Sequence, residues 1–248
     1  AWVGVTRIAD EEELHLRYDE SGERLMHLQA SVENFDVFAR SLSIGAETMV
    51  MRFDPDRPMY DRYQVSHGFL PPETGLEVVT IGKLINAFFR WEFNSCETLV
   101  KDGNVYPIDY ANAAPDLALT SLHYYFPWAI KTLLKWTIFC CVTERKMRID
   151  QDMEAYFAIG DDPEIPYGDK LSRYRALADS YFETDRYTEF CSKYLAEVDD
   201  AMVEYIGSPS FDDLLVETIR TTFPVDEHDR FIAHYRGLMQ AWLTDARA

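Results

Sequence analysis

Two polar residues, Asp102-Gly103, interrupt the stretch FNSCETLVKDGNVYPIDYANAAPD, residues 93–116, and they constrain this chain more than anything else in it. Asp-Gly between two runs rich in β-branched and aromatic residues is a strong local signal for a β-hairpin. The stretch also carries Glu97 before the turn and Asp109 and Asn112 after it. Register decides whether those side chains meet. A two-residue turn places Glu97 opposite Ile108 and turns Asp109 away. A three-residue Asp-Gly-Asn loop, with Gly103 in the left-handed position, places Glu97 opposite Asp109 on one side of the sheet. A metal-binding reading requires the second register. Two carboxylates and an amide oxygen are hard ligands that suit Mg²⁺, which takes few protein ligands and fills its shell with water and phosphates. Without a cation such a pair repels itself. The plainer alternative is a hairpin with a solvated acidic face and Asn112 capping a turn near Pro115.

The remaining pattern predicts an α+β chain. Residues 2–8 read as a strand, followed by an acidic helix start at Asp10-Glu11-Glu12-Glu13. LMHLQASVE, 25–33, reads as a second extended run. FARSLSIGAETMVMRF, 38–53, reads as a hairpin turning at Ile44-Gly45-Ala46-Glu47, then a loop, then a helix near 73–90. Beyond Pro115 no strand is expected. Helical stripes run through 171–182, 187–206, a short segment after Ser208-Pro209-Ser210, and a last helix with Phe231, Ile232, Tyr235, Leu238, Met239 and Trp242. IGDDPEIPYGD, 159–169, reads as a linker. The expected division is 1–116, a connecting helical segment 117–158, that linker, and a helical domain 170–248.

Composition narrows the function classes. With 47% hydrophobic and 27% charged residues among 248, the chain is globular and long enough for a real core. Its net charge is −19, and both halves are acidic: 10 Lys and Arg against 20 Asp and Glu in 1–116, 14 against 23 afterwards. Neither half offers counter-charge to phosphates, which argues against nucleic-acid and anionic-membrane partners. Cys96, Cys140, Cys141 and Cys191 show neither zinc-ligand spacing nor a disulfide framework, which fits a reducing, cytoplasmic setting. FPWAIKTLLKWTIFCCV, 126–142, carries Lys131 and Lys135 on one helical face and reads as core- or partner-facing rather than membrane-spanning. The opening AWVGVTR, without an initiating Met, suggests a fragment.

Taken together, residues 1–116 resemble the ATP-grasp superfamily, nearest the glutathione-synthetase and ribosomal-protein glutamate-ligase branch. The resemblance rests on four segments in order. AWVGVTRIADEEEL is similar to the strand and helix after the family's glycine-rich loop, and LMHLQASVENFDVFAR to its hinge strand and the strand carrying an Arg. ARSLSIGAETMVMRFDP is similar to its R-x-x-x-x-G-x-x-V hairpin, and FRWEFNSCETLVKDGNVYPIDYANAAPD to its closing metal hairpin. The resemblance implies Glu97, Asp109 and Asn112 as magnesium ligands, and Arg40 and Arg52 as arginines for phosphate or substrate carboxylate. It implies that Gln29, Ala30, Ser31 and Val32 present hinge backbone to adenine, and that Glu33 or Asp36 accepts from the ribose hydroxyls. The implied activity is an ATP- and Mg²⁺-dependent ligation of a small-molecule or peptide carboxylate to an amine, or less often a thiol, through an acyl phosphate. Whether it works as a homo-oligomer is left open.

Two departures stand out. The family's ending is Glu-x-Asn, whereas Asp109-Tyr-Ala-Asn112 is one residue longer, so Asn112 is open to displacement or replacement by Asp116, with Glu92 and Asn94 as substitutes on the other face. The family's phosphate-binding lysines have no counterpart, and the helical half lies outside the resemblance. The alternatives are a nucleotide-binding module without turnover and a helical protein-interaction module. His123 is a candidate substrate contact or a structural histidine among aromatics, and Cys96 reads as a core thiol.

Overall fold

The computed structural model of the protein describes residues 5–150 and 152–248. They divide into two compact units, Ala1–Asn34 and Phe35–Ala248. In the first unit, helix α1 (Glu11–Glu20) begins where the charge pattern placed it: Asp10 accepts from the Glu13 amide at 2.9 Å, and three glutamates fill the first turn. The expected strands do not form. Residues 5–8 and 25–33 carry no strand, and the rest of the 2–8 prediction lies outside the described residues. Leu25 is fully exposed and Leu28 largely so, and among the described residues no strand pairs with this run to hold it extended.

The second unit is built on a five-stranded antiparallel sheet. Strands β1 (Val37–Ile44), β2 (Glu47–Phe53), β3 (Tyr63–Gln64), β4 (Phe93–Lys101) and β5 (Asn104–Asn112) lie in the order β3-β2-β1-β4-β5. The β1–β2 hairpin turns at Gly45-Ala46, as expected, with Gly45 at φ +54°. Strand β3 begins at Tyr63, the last residue of the stretch DPDRPMYDRY, 54–63, that the sequence offered as a loop.

Helix α2 (Pro72–Phe89) connects β3 to β4, with Pro72 at its first turn. It lies close on one face of β1: a Cβ at Gly82 would sit 3.0 Å from Ser43 Oγ and 3.1 Å from Ser41 Oγ. The alternate residues of β1, Phe38, Leu42 and Ile44, point to the other face and are buried.

The remainder is helical: α3 (Leu119–Leu122), α4 (Phe126–Val142), α5 (Glu154–Gly160), α6 (Tyr167–Phe182), α7 (Thr184–Tyr194), α8 (Val198–Ile206), α9 (Pro209–Thr222) and α10 (His228–Ala246). The 187–206 stripe is two helices, broken at Leu195. Ser208 caps α9 by accepting from the Phe211 amide. One core joins Leu42, Ile44 and Met51 of the sheet to Trp136, Phe139, Phe182 and Tyr187, and so crosses the 159–169 segment. A second core holds α8, α9 and α10 together through Met202, Phe211, Leu215, Phe231 and Tyr235. Lys131 and Lys135, on one face of α4, both grip Asp199 of α8. Among the described residues no helix is long and apolar enough to cross a membrane.

Candidate functional site

The β4–β5 hairpin forms, but not in the simple register the metal reading demanded. Its turn has two residues: Lys101 pairs with Asn104, Val100 with Val105 and Thr98 with Pro107. Asp102 and Gly103 both take positive φ, 50° and 76°, the geometry in which a two-residue turn follows strand twist. Continued unbroken, this register would put Ile108 opposite Glu97. Instead a β-bulge takes up Ile108, and Glu97 pairs with Asp109.

A second irregularity follows, in which Ser95 pairs with Asn112, so that two steps on β4 match three on β5. The extra residue in Asp109-Tyr-Ala-Asn112 is absorbed there, and Asn112 stays on the face of Asp109. Asn94 stabilises the irregular stretch from the opposite face. Its side chain donates to the Tyr110 carbonyl at 3.1 Å and accepts from the Asn112 amide at 3.0 Å, replacing ladder bonds the bulge removes.

A row of side chains results across three strands. Arg40 of β1 pairs with Glu97, which pairs with Asp109. Arg40 Nη1 lies 3.7 Å from Glu97 Oε1. One row over, Ser95 Oγ accepts from Arg40 Nη2 at 3.3 Å and from Asn112 Nδ2 at 3.1 Å, tying the arginine to the amide. The guanidinium carbon stands 5.8 Å from each of the Phe53 and Tyr63 ring centroids. Glu97 is 9% exposed, and its Oε2 is buried without a hydrogen-bond partner among the described residues. Burial holds its carboxyl above the usual range against the pull of Arg40, and the Asp109 charge adds to the rise.

Two carboxylates thus pair across the strands, Glu97 buried and under-bonded and Asp109 exposed, with the Asn112 amide one row over. The donor set fits Mg²⁺. No group of three or more His, Cys, Asp or Glu among the described residues comes together for a metal, so the candidate set is two carboxylates and Asn112.

Other expected residues lie elsewhere. Arg52 pairs with Ala39 and Gln64, one residue out of phase with Arg40, so it projects from the opposite face and is exposed. Gln29, Ala30, Ser31, Val32 and Glu33 belong to the first unit. There Ser31 Oγ donates to Glu33 Oε1 at 2.7 Å, and Arg7 pairs with Glu33 at 3.2 Å. Asp36 caps the hairpin tip by accepting from the Asp102 amide at 2.8 Å. Asp116 accepts from the Ala118 amide and from Ser121 Oγ at the start of α3. Glu92 is held by Arg145 at 2.9 Å and by the Tyr181 hydroxyl at 3.0 Å. The Cys96 thiol is buried, which pushes its pKa up to about 11 and makes it a poor nucleophile.

His123 is 1% exposed. It sits in a strained backbone conformation at φ 39°, ψ −111°, and its ring lies 5.9 Å from that of Tyr63. Sequence reasoning did not single out Ser95, Tyr63 or the fastening role of Asn94. Nothing local marks them; their roles arise from cross-strand pairing.

Comparison with known proteins finds no matching family model, no matching curated protein and no matching solved structure.

Proposed function

We propose that the protein is a cytoplasmic, ATP- and Mg²⁺-dependent ligase of the ATP-grasp kind, joining a carboxylate to an amine or thiol through an acyl phosphate. One observation carries the reading. Two bulges set Glu97, Asp109 and Asn112 on the same sheet face as Arg40, with Glu97 buried and short of a partner. Glu97, Asp109 and Asn112 would hold the ion, which when bound neutralises charge between the β- and γ-phosphates. Arg40 offers a guanidinium to the oxyanion that forms as the carboxylate attacks the terminal phosphoryl group. Its Nε has no hydrogen-bond partner among the described residues, and the Phe53 and Tyr63 rings stand beside it. The amine then attacks the acyl carbon of the acyl phosphate, the C–N bond forms as the C–O bond to phosphate breaks, and inorganic phosphate leaves.

Calorimetric titration of ADP with Mg²⁺ tests this reading. The parent should bind in a magnesium-dependent way, and the Glu97→Gln, Asp109→Asn double variant should not. Equal binding by both removes the hairpin from the mechanism. The position of Arg52 favours a second reading, a nucleotide-binding module without turnover, because it leaves a single arginine in the row. Magnesium-dependent binding without phosphate release across a panel of carboxylates and amines would select it.

A further inference from the structure

One of the side chains packed against Arg40, Tyr63, is itself poorly anchored by the sheet. Tyr63 lies on β3, an edge strand of two residues whose ladder partners are Phe53 and Arg52. What fixes its ring is aromatic contact: Phe53 at 5.3 Å, His123 at 5.9 Å and 65°, and Tyr125 at 6.5 Å and 70°. Two of those three rings come from the short turn His123–Tyr125 that leads into α4. The Tyr125 hydroxyl also donates to the Gln64 carbonyl at 2.8 Å, pinning β3 from the helical side.

His123 occupies a backbone conformation that L-residues avoid, and it is kept there by burial and by a 2.9 Å bond from the Tyr124 amide to its Nδ1. That bond leaves the proton on Nε2, which is buried with no hydrogen-bond partner among the described residues. An apolar ring would fill the space without that cost, and glycine would hold the backbone without the strain. Burial and the nearby His234 lower its pKa to about 4, so the imidazole stands one ring away from Arg40 without adding positive charge.

We infer that the His123–Tyr125 turn is a clamp by which the helical region positions the site arginine, with His123 as a positioning residue acting through Tyr63 on Arg40. The helical region is then part of the site's machinery, a role that goes beyond packing or recruitment.

Two readouts on the full chain test the clamp. The first is the side-chain Nε–H resonance of Arg40, assigned by its loss in Arg40→Met. With the guanidinium carbon 5.8 Å from the centroids of both the Phe53 and Tyr63 rings, it should be shifted from the position of a free arginine in the parent. His123→Gly should return it toward the position of a free arginine, and so should Tyr63→Leu. The second is affinity for ADP with Mg²⁺, which rests on the ligase reading above. His123→Gly should weaken it about 10- to 100-fold, the scale of a small misplacement of a site group, and should cost nothing more in the Arg40→Met background. If His123→Gly does not fold, His123→Leu, which keeps bulk but not the ring edge, is read the same way. An unmoved Arg40 resonance in a folded His123 variant overturns the clamp. So does an equal affinity loss with and without Arg40. If the parent does not bind the nucleotide, the ligase reading falls while the resonance still decides the clamp.

Discussion

Replacing Gly45 by alanine should be among the most damaging single-atom additions to this protein. Gly45 turns β1 into β2 at φ +54°, and the face of Trp136 from α4 lies against it. A Cβ built there would fall 2.0, 2.3 and 2.4 Å from the Cδ2, Cε3 and Cε2 atoms of that indole. The ring has nowhere to go: Phe139, Phe182 and Tyr187 surround it at 5.4, 5.9 and 5.4 Å, and the Arg145 guanidinium lies 4.9 Å above it. Left-handed backbone in a non-glycine residue costs about 1 kcal/mol, and overpacking a closed core adds roughly 1–3 kcal/mol. A total of about 2–4 kcal/mol is a large share of the ~5–15 kcal/mol that holds a typical domain. Urea denaturation with an unchanged slope is the assay. Gly45→Asn, which tolerates the left-handed region, should be nearly as harmful, because the clash outweighs the strain. In a Trp136→Leu background Gly45→Ala should cost about 1 kcal/mol, the backbone share alone. A Gly45→Ala variant within about 0.5 kcal/mol of the parent, or one equally damaging without the indole, refutes the reasoning.

Two further predictions concern charge. The Arg145 side chain is 3% exposed and donates to Glu92 and to the Tyr181 carbonyl, each at 2.9 Å. Arg145→Met should destabilise by about 3 kcal/mol because it strands the Glu92 carboxylate, and adding Glu92→Gln should restore part of that loss in the same urea experiment. Glu97 is an acid whose pKa folding raises above 4.5, by burial first and Asp109 next, with Arg40 opposing. Its folded state favours the protonated form, so its contribution is most favourable below 4.5 and declines as pH rises through the raised value. The metal-free parent should therefore lose stability relative to Glu97→Gln on going from acid to neutral pH, and Mg²⁺ should reverse the loss. A difference that is flat with pH would contradict the burial argument.

Much of the architecture was legible before any coordinates. The Asp102-Gly103 and Gly45 turns, the α2 span and the helical stripes all follow from period and punctuation, which are local properties. Three misreadings share a cause. Strand β3 is two residues long and exists because β2 offers it an edge. The expected strand at 25–33 finds no partner strand among the described residues. The helix expected across 187–206 breaks at Leu195 although Ala196 and Glu197 are good helix formers. There, beyond the break, Asp199 is held by two lysines of α4, a contact sequence period cannot see.

The candidate site divides the same way. The residues alone fixed which side chains could serve: two carboxylates and an amide around one turn, with arginines on a neighbouring hairpin. Only the folded sheet decided which of them meet. A one-residue slip moves a side chain to the other face of a strand. The bulge at Ile108 therefore brings Asp109 to Glu97 despite a turn that forbids it, the second irregularity keeps Asn112 on that face, and alternation sends Arg52 away while Arg40 stays. Bulges form where side chains such as Asn94 can take over lost backbone bonds. Such a side chain comes from a neighbouring strand, so no local stretch of sequence announces it.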